Sequence, residues 1–256
     1  MILAVDAGNT NVVLGCVENS EICGIARMES NRRKTEFEYA VNIERILALN
    51  GVAADQLEGA IISSVVPQLT DSLASAVLMV TGHEALIVGA GVKTGLNIGI
   101  DDPSQLGADL VAGAVAALDL HAPPLIIIDM GTATTMTVIG PNARVLGGAI
   151  MPGPGVAMDA LVGGASLLPH IPLDPPKKCI CSNTIDCMQS GAVFGTAAAI
   201  DGMIDRMEQE LGSPTFVVAT GGLASKVIPY CRHDILRDEN LLLHGLWLIW
   251  ERNKRR

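Results

Sequence analysis

Two short segments of this chain follow one plan: Asp6-Ala7-Gly8-Asn9-Thr10-Asn11 and Asp129-Met130-Gly131-Thr132-Ala133-Thr134-Thr135. Each follows an apolar, strand-like run, Ile2 to Val5 in the first case and Leu125 to Ile128 in the second. Each then sets an acid, a glycine and small hydroxyl or amide side chains where a strand would turn back on itself. Glycine permits the tight turn and lets the backbone come close to a ligand. Amide N–H groups freed by such a turn can face an anion, as backbone nests do with phosphate. An aspartate in that setting repels phosphate unless a cation sits between them. Two such turns facing each other across a cleft therefore point to a metal-bridged nucleoside triphosphate.

The rest of the composition is compatible with that reading and narrows it. A chain of 256 residues, 49% hydrophobic and 17% charged, can bury a substantial core as one large domain or two linked ones. Aromatics make up only 3%, so the core is built from Ala, Val, Ile, Leu and Met. A net charge of −10 argues against a nucleic-acid surface, which needs clustered Lys and Arg. The basic end, Arg252-Asn253-Lys254-Arg255-Arg256, reads as a solvated helix terminus. No charged start leads into an apolar secretory segment, and no apolar run approaches the ~18 residues of a membrane span. The six cysteines are irregularly spaced, and Cys179, Cys181 and Cys187 have no histidine or fourth cysteine nearby in sequence to complete a zinc site. A reduced, cytoplasmic protein is the expectation.

Along the chain, strands alternate with helices, which implies α/β layering. Strands are expected at Ile2 to Val5, Val12 to Val17, near Ile22 to Ala26, at Ala60 to Val66 and at Ala85 to Val88. Helical spacing runs from Thr35 to Leu49 through Phe37, Ala40, Val41, Ile43 or Glu44, and Leu47, with Gly51 closing it. A second helix covers Leu69 to Val80, and an Ala- and Val-rich one Gly107 to Leu120. Pro123-Pro124 stops the last of these, dividing the chain into lobes over residues 1–120 and 121–256. The second half repeats the programme with a strand, a glycine turn, a strand at Thr135 to Ile139, a glycine pair and a helix, then a strand at Phe216 to Ala219 and an apolar helix at Leu241 to Trp250.

The usual nucleotide fingerprints are missing; there is neither a Gly-x-x-x-x-Gly-Lys-Ser/Thr loop nor Gly-x-Gly-x-x-Gly. The two hairpins supply a different phosphate-binding plan. Asp6 would orient a hydrated Mg²⁺, which keeps waters and shares phosphate oxygens, and Asp129 is the matching acid. Asn9, Thr10 and Thr132 can hydrogen-bond phosphate without adding charge. Thr220-Gly221-Gly222 would let an adenosine lie against the backbone, or is a tight strand-to-helix turn. Gly147 to Gly153 is a packed loop or the floor of a cleft. Asp109 opens the Ala-rich helix, where a carboxylate is favoured by the helix dipole and can act as a cap. The sharper reading is a general base that orients an attacking alcohol and takes its proton in phosphoryl transfer.

Together these segments resemble the type III pantothenate kinases of the acetate and sugar kinase/Hsp70/actin superfamily. The resemblance extends through Ile62-Ser63-Ser64-Val65-Val66-Pro67, Gly147 to Gly153, Asn183-Thr184, Gln189-Ser190-Gly191, Thr220-Gly221-Gly222 and Glu251-Arg252-Asn253. It implies two related actin-like (ribonuclease H-like) lobes with a nucleotide cleft between them. It also implies ATP-dependent phosphorylation of pantothenate, with Mg²⁺ and a monovalent cation (K⁺ or NH₄⁺), in a homodimer. Carried over by position, Asp6, Ala7, Gly8, Asn9, Thr10, Asn11, Val12 and Val13 would hold the ATP phosphates, assisted by Thr132. Asp109 would be the proton acceptor, Asp129 the monovalent-cation ligand, and Ile100, Gly107, Ala108, Asp109, Leu110 and Thr184 the pantothenate contacts.

This chain departs from the family pattern on the acceptor side. Leu110 stands where an arginine is usual, Ile100-Asp101-Asp102-Pro103 where a Tyr-Asp-Asn-Pro-like stretch is usual, and Cys181-Ser182 where a glycine and a basic residue are usual. Leucine cannot pair with the pantothenate carboxylate. One lost charge-assisted pair costs about 1.5–3 kcal/mol, roughly ten- to a hundredfold in affinity. A kinase of the same fold for another small hydroxy acid or polyol, and a nucleotide-dependent regulatory protein, are the alternatives this raises.

Overall fold

The computed structural model describes residues 1–254; Arg255 and Arg256 of the basic end lie outside the described residues. In chain order the strands and helices are β1 (Ile2–Ala7), β2 (Asn11–Glu18), β3 (Glu21–Glu29), α1 (Glu36–Leu49), β4 (Ala60–Ser64), α2 (Pro67–Thr81), β5 (Ala85–Ile87), β6 (Asn97–Ile98) and α3 (Ala108–Leu120). They continue with β7 (Leu125–Met130), β8 (Ala133–Ile139), β9 (Arg144–Pro152), α4 (Pro154–Gly164), α5 (Thr184–Leu211), β10 (Phe216–Thr220), α6 (Ala224–Val227), β11 (Ile235–Arg237) and α7 (Leu241–Asn253). Among the described residues no helix is long and apolar enough to cross a membrane.

The chain forms two compact units. The first takes Met1–Leu96, Asp101–Asp119 and the segment from residue 240 onward; the second takes Asn97–Ile100 and Leu120–Glu239. The first unit's sheet has the order β3-β2-β1-β4-β5, with β1, β2 and β3 antiparallel and β4 and β5 parallel to β1. The second unit repeats it as β9-β8-β7-β10-β11 with the same strand directions, and adds β6 parallel to β9 at one edge. The duplication visible in two hairpins is thus a duplication of an entire five-stranded sheet, the order of the actin-like fold.

Alternation along β1 assigns its two faces. Leu3, Val5 and Ala7 face a core with Tyr39, Ile43 and Leu47 of α1 and Leu69, Leu73 and Val77 of α2. Ile2 and Ala4, with Ile61 of β4, face Val111, Ala112 and Val115 of α3 and Leu243, Leu246 and Ile249 of α7. Burial on both sides is why these strands read as continuous apolar runs.

Three features differ from the sequence reading. The expected stripe of α1 included Phe37 and Val41, yet these are 65% and 64% exposed. The buried face is Tyr39, Ile43 and Leu47, also at four-residue spacing, and the Tyr39 hydroxyl exchanges hydrogen bonds with the Asn31 backbone (2.9 and 3.0 Å), which makes its burial affordable. The Gly147 to Gly153 stretch is not a loop but most of β9. Gly147 takes φ +138° at the irregularity beside Val138, and a side chain on Gly148 would run into the Met136 backbone. Finally, α7 belongs to the first unit rather than to a lobe over 121–256. Gly245 lets it press against the Ala112 backbone of α3, and Leu243 fills the space over Gly15 of β2.

Candidate functional site

The first hairpin turns through Gly8, Asn9 and Thr10, closed by the Gly8 N–H donating to the Asn11 carbonyl at 3.0 Å. The end of β3 braces it: the Ser30 hydroxyl donates to the Gly8 carbonyl (2.6 Å) and the Ser30 N–H to the Thr10 carbonyl (3.0 Å). Ala7 and Val12 bury their side chains against α1 and α2, so only their backbone is on offer to a ligand. Arg32 donates to Asn9 Oδ1 at 3.2 Å, placing a guanidinium on the turn. Sequence reasoning passed over Arg32, because in Asn31-Arg32-Arg33-Lys34 it looks like part of a solvated charge run.

Asp6 lies near the C-terminal end of β1, on the face that α3 covers, paired in register with Val13 on one side and Ser63 on the other. The first turn of α3 reaches the same end of this sheet. Gly107 lies beside Val65, whose N–H donates to the Ala7 carbonyl at 3.1 Å. The first unit therefore gathers Asp6, the Gly8 turn, Gly107, Ala108, Asp109 and Leu110 at the carboxyl ends of its parallel strands, where open α/β sheets bind ligands.

Asp109 folds back over Gly107, leaving no room there for a side chain, and accepts the Leu110 N–H at 2.7 Å. Among the described residues no cation pairs with it. Burial pushes its pKa above the ordinary carboxylate value, and the hydrogen bond from Leu110 only partly opposes the shift. A carboxylate with raised proton affinity at a helix start is chemically a better base than an exposed one.

In the second unit, β10 returns to β7 so that Thr220 pairs with Asp129. The next residue, Gly221, has φ +94°, and a Cβ there would lie 2.6 Å from Asp129 Oδ1 and from the Met130 nitrogen. The second hairpin is one residue shorter than the first, with only Gly131 and Thr132 between strands; the Gly131 N–H donates to the Ala133 carbonyl at 2.9 Å. Gly153, at the start of α4, donates to the Thr132 carbonyl at 3.0 Å and has no space for a side chain against Gly131 and Thr132. Asp129 and Gly221 are thus brought together, with exposed Gly222 following, and Thr132 lies in the hairpin turn against Gly153.

Thr184 opens α5, capped by Asn183, whose side-chain oxygen accepts the Asp186 N–H at 2.9 Å. It lines a cavity of about 820 Å³ between α4 and the first half of α5. Leu161, Met158 and Met188 form its apolar wall, Ser182, Asn183 and Thr196 its polar one, and none of its lining residues is charged. Pro154, adjacent to Gly153, lies on the same wall. Ile100 is half-buried just past β6, and the Arg144 side chain occupies the space over its neighbour Gly99.

The model of the type III pantothenate kinase family matches residues 2–206. The chain belongs to that family. A type III pantothenate kinase from Moorella thermoacetica is 40% identical over 99% of this chain and 100% of its own length. One from Bacillus cytotoxicus is 39% identical over 99% of this chain and 97% of its own. Among solved structures, the ethanolamine utilization protein EutJ from Carboxydothermus hydrogenoformans superposes with a TM-score of 0.56 at 15% identity, covering 97% of this chain and 89% of that one. At that identity the likeness concerns the fold alone. The family's members are kinases, and the chain is a phosphotransferase of that kind.

Proposed function

We propose that this chain transfers the γ-phosphoryl group of ATP to the primary hydroxyl of pantothenate, giving 4′-phosphopantothenate, the first step of coenzyme A biosynthesis. The observation that carries the reading is Asp109, a half-buried carboxylate of raised proton affinity at the same end of the sheet as Asp6 and the Gly8 turn. In this assignment the backbone from Asp6 to Val13, with Thr132, holds the phosphates, and Gly221 and Gly222 give the adenosine a surface without side chains. Asp6 holds Mg²⁺, and Asp129 holds the monovalent cation, K⁺ or NH₄⁺.

The donor set suits such ions. Hard cations take oxygen ligands, and each acid shares its rung of the sheet with a buried hydroxyl that has no hydrogen-bond partner, Ser63 beside Asp6 and Thr135 beside Asp129. When bound, the divalent ion supplies charge neutralisation for the phosphoryl oxygens. Asp109 accepts the proton of the pantothenate hydroxyl and fixes the direction of its attack. By the family pattern, Gly107, Ala108 and Leu110 of the first unit and Ile100 and Thr184 of the second are assigned to the acceptor. Family membership also motivates a cytoplasmic homodimer, which sedimentation of the purified protein would check.

A second acceptor, another small hydroxy acid or a polyol, is favoured by one pair of facts. Leu110 offers no cation, and the lining of the cavity containing Thr184 is uncharged. An ADP-release assay with direct detection of phosphorylated product separates the two. The expected result is phosphorylated pantothenate, formed only with a divalent ion and faster with K⁺. Asp109→Asn should lower kcat by about 10²–10⁴. ATP binding without phosphorylation of pantothenate would overturn the assignment.

A further inference from the structure

Ser63 has not been given a role by its position in the Ile62 to Pro67 motif, and its neighbour shows what an ordinary role looks like. The Ser64 hydroxyl accepts the Val66 N–H at 3.2 Å and a hydrogen bond from Thr70 at 2.9 Å, bracing the turn into α2. Ser63 is completely buried, and its hydroxyl has no hydrogen-bond partner. Sealed from solvent, it cannot be satisfied by bulk water either. Buried polar groups are rarely left in this state, because the unmade bond is costly.

The register identifies the group it can serve. Ser63 is the β4 partner of Asp6, and Ala4 and Ile61 are partners one step earlier on the same face. Side chains on adjacent parallel strands stand about 5 Å apart, so a rotation of either side chain brings hydroxyl and carboxylate into bonding range. The next residues along this face are apolar, Ile61 and Ala4 below and Val13 on the far side of Asp6. Asp6 is therefore the acceptor this hydroxyl can reach on its rung.

We propose that Ser63 is a positioning residue for nucleotide binding: in the loaded enzyme its hydroxyl donates to the Asp6 carboxylate and fixes the orientation in which Asp6 meets the metal–nucleotide. This inference rests on the kinase reading for the identity of the ligand, but its test reads nucleotide affinity and fold stability rather than acceptor turnover. The unmade bond in the free protein is recovered on loading, so its loss appears selectively in the bound state.

The experiment compares Ser63→Ala with wild type by Mg·ATP titration, by melting temperature without ligand, and by the dependence of affinity on Mg²⁺ concentration. Removal of an unsatisfied hydroxyl should leave the ligand-free melting temperature unchanged or raise it by about 2–4 °C. Mg·ATP affinity should fall about ten- to a hundredfold, the loss expected for a hydrogen bond to a charged group. Ser63→Thr, which keeps the hydroxyl on a side chain suited to a strand, should recover much of that affinity. Ser64→Ala is the control: it should lower the melting temperature while leaving Mg·ATP affinity near wild type.

Unchanged affinity in Ser63→Ala would overturn the proposal and make Ser63 a tolerated buried hydroxyl. A lower ligand-free melting temperature would also overturn it, by showing that the hydroxyl already has a partner. If wild type binds Mg·ATP but does not phosphorylate pantothenate, the acceptor assignment fails while the affinity comparison still decides the role of Ser63.

Discussion

Replacing Gly221 by alanine separates two costs that the structure superimposes at one position. The first is conformational: a side chain at φ +94° is strained by about 1–2 kcal/mol. The second is steric. A Cβ would sit 2.6 Å from Asp129 Oδ1 and the Met130 nitrogen and 2.7 Å from the Met130 carbonyl carbon, where backbone cannot give way cheaply. Overpacking of that kind adds about 1–3 kcal/mol. Gly82→Ala is the matched control, since Gly82 has φ +72° with open space around it and carries only the first cost. Gly82→Ala should lose about 1–2 kcal/mol and Gly221→Ala about 2–5 kcal/mol, out of the 5–15 kcal/mol typical of a folded protein. Because the clash falls on Asp129, Gly221→Ala should also blunt activation by K⁺, whereas Gly82→Ala should leave it intact. Denaturation curves and a K⁺ titration of initial rate read both effects. Equal destabilisation by the two variants, with cation activation preserved in both, would refute the close approach of the Gly221 turn to Asp129.

Turnover should rise with pH through a value above that of an ordinary aspartate, because burial raises the Asp109 pKa and only the ionised form accepts a proton. The same shift has the opposite sign for stability. The folded chain binds the Asp109 proton more tightly than the unfolded chain does, so stability is lost as pH climbs from the ordinary value through the raised one. Asp109→Asn should flatten that slope in acid denaturation curves. Leu110→Arg should improve the pantothenate KM by about ten- to a hundredfold with the ATP KM unchanged; no change would mean that the acceptor presents no anion at this position. Gly245→Ala should cost about 3 kcal/mol, because the added methyl would meet the Ala112 backbone, and a neutral result would contradict the packing of α7 on α3.

The features legible in the sequence are those whose residues are neighbours in the chain. The hairpins at Asp6 to Val13 and Asp129 to Thr132 announce themselves because a tight turn keeps its glycine and acid side by side. The capping box of α1, Thr35 with Glu38, is local in the same way. Residues that act through long-range pairing left no such mark. Ser63 and Ser64 look alike in sequence, and only the register of β4 against β1 distinguishes a bracing hydroxyl from an unpaired one. The placement of α7 depends on which sheet face lacks a cover, which no local pattern records. The sequence marks a helix after the glycine pair of the second half but not the bounds of the 28-residue α5, although Val193, Ala197, Ile200 and Ile204 line up on its buried side; Gly191, Gly195 and Gly202 dilute the helical signal.

The way the first unit is assembled from separated pieces of chain bears on synthesis. The Ile2, Ala4 and Ile61 side of its sheet is covered in part by Leu243, Leu246 and Ile249, which leave the ribosome after the whole of the second unit. All of the second unit's chain, by contrast, precedes residue 240. The nascent protein therefore has every part of the later-encoded half before the earlier-encoded half can close. Over that interval an oily sheet surface stays open to chaperones, and a stop codon ahead of α7 would leave it open for good.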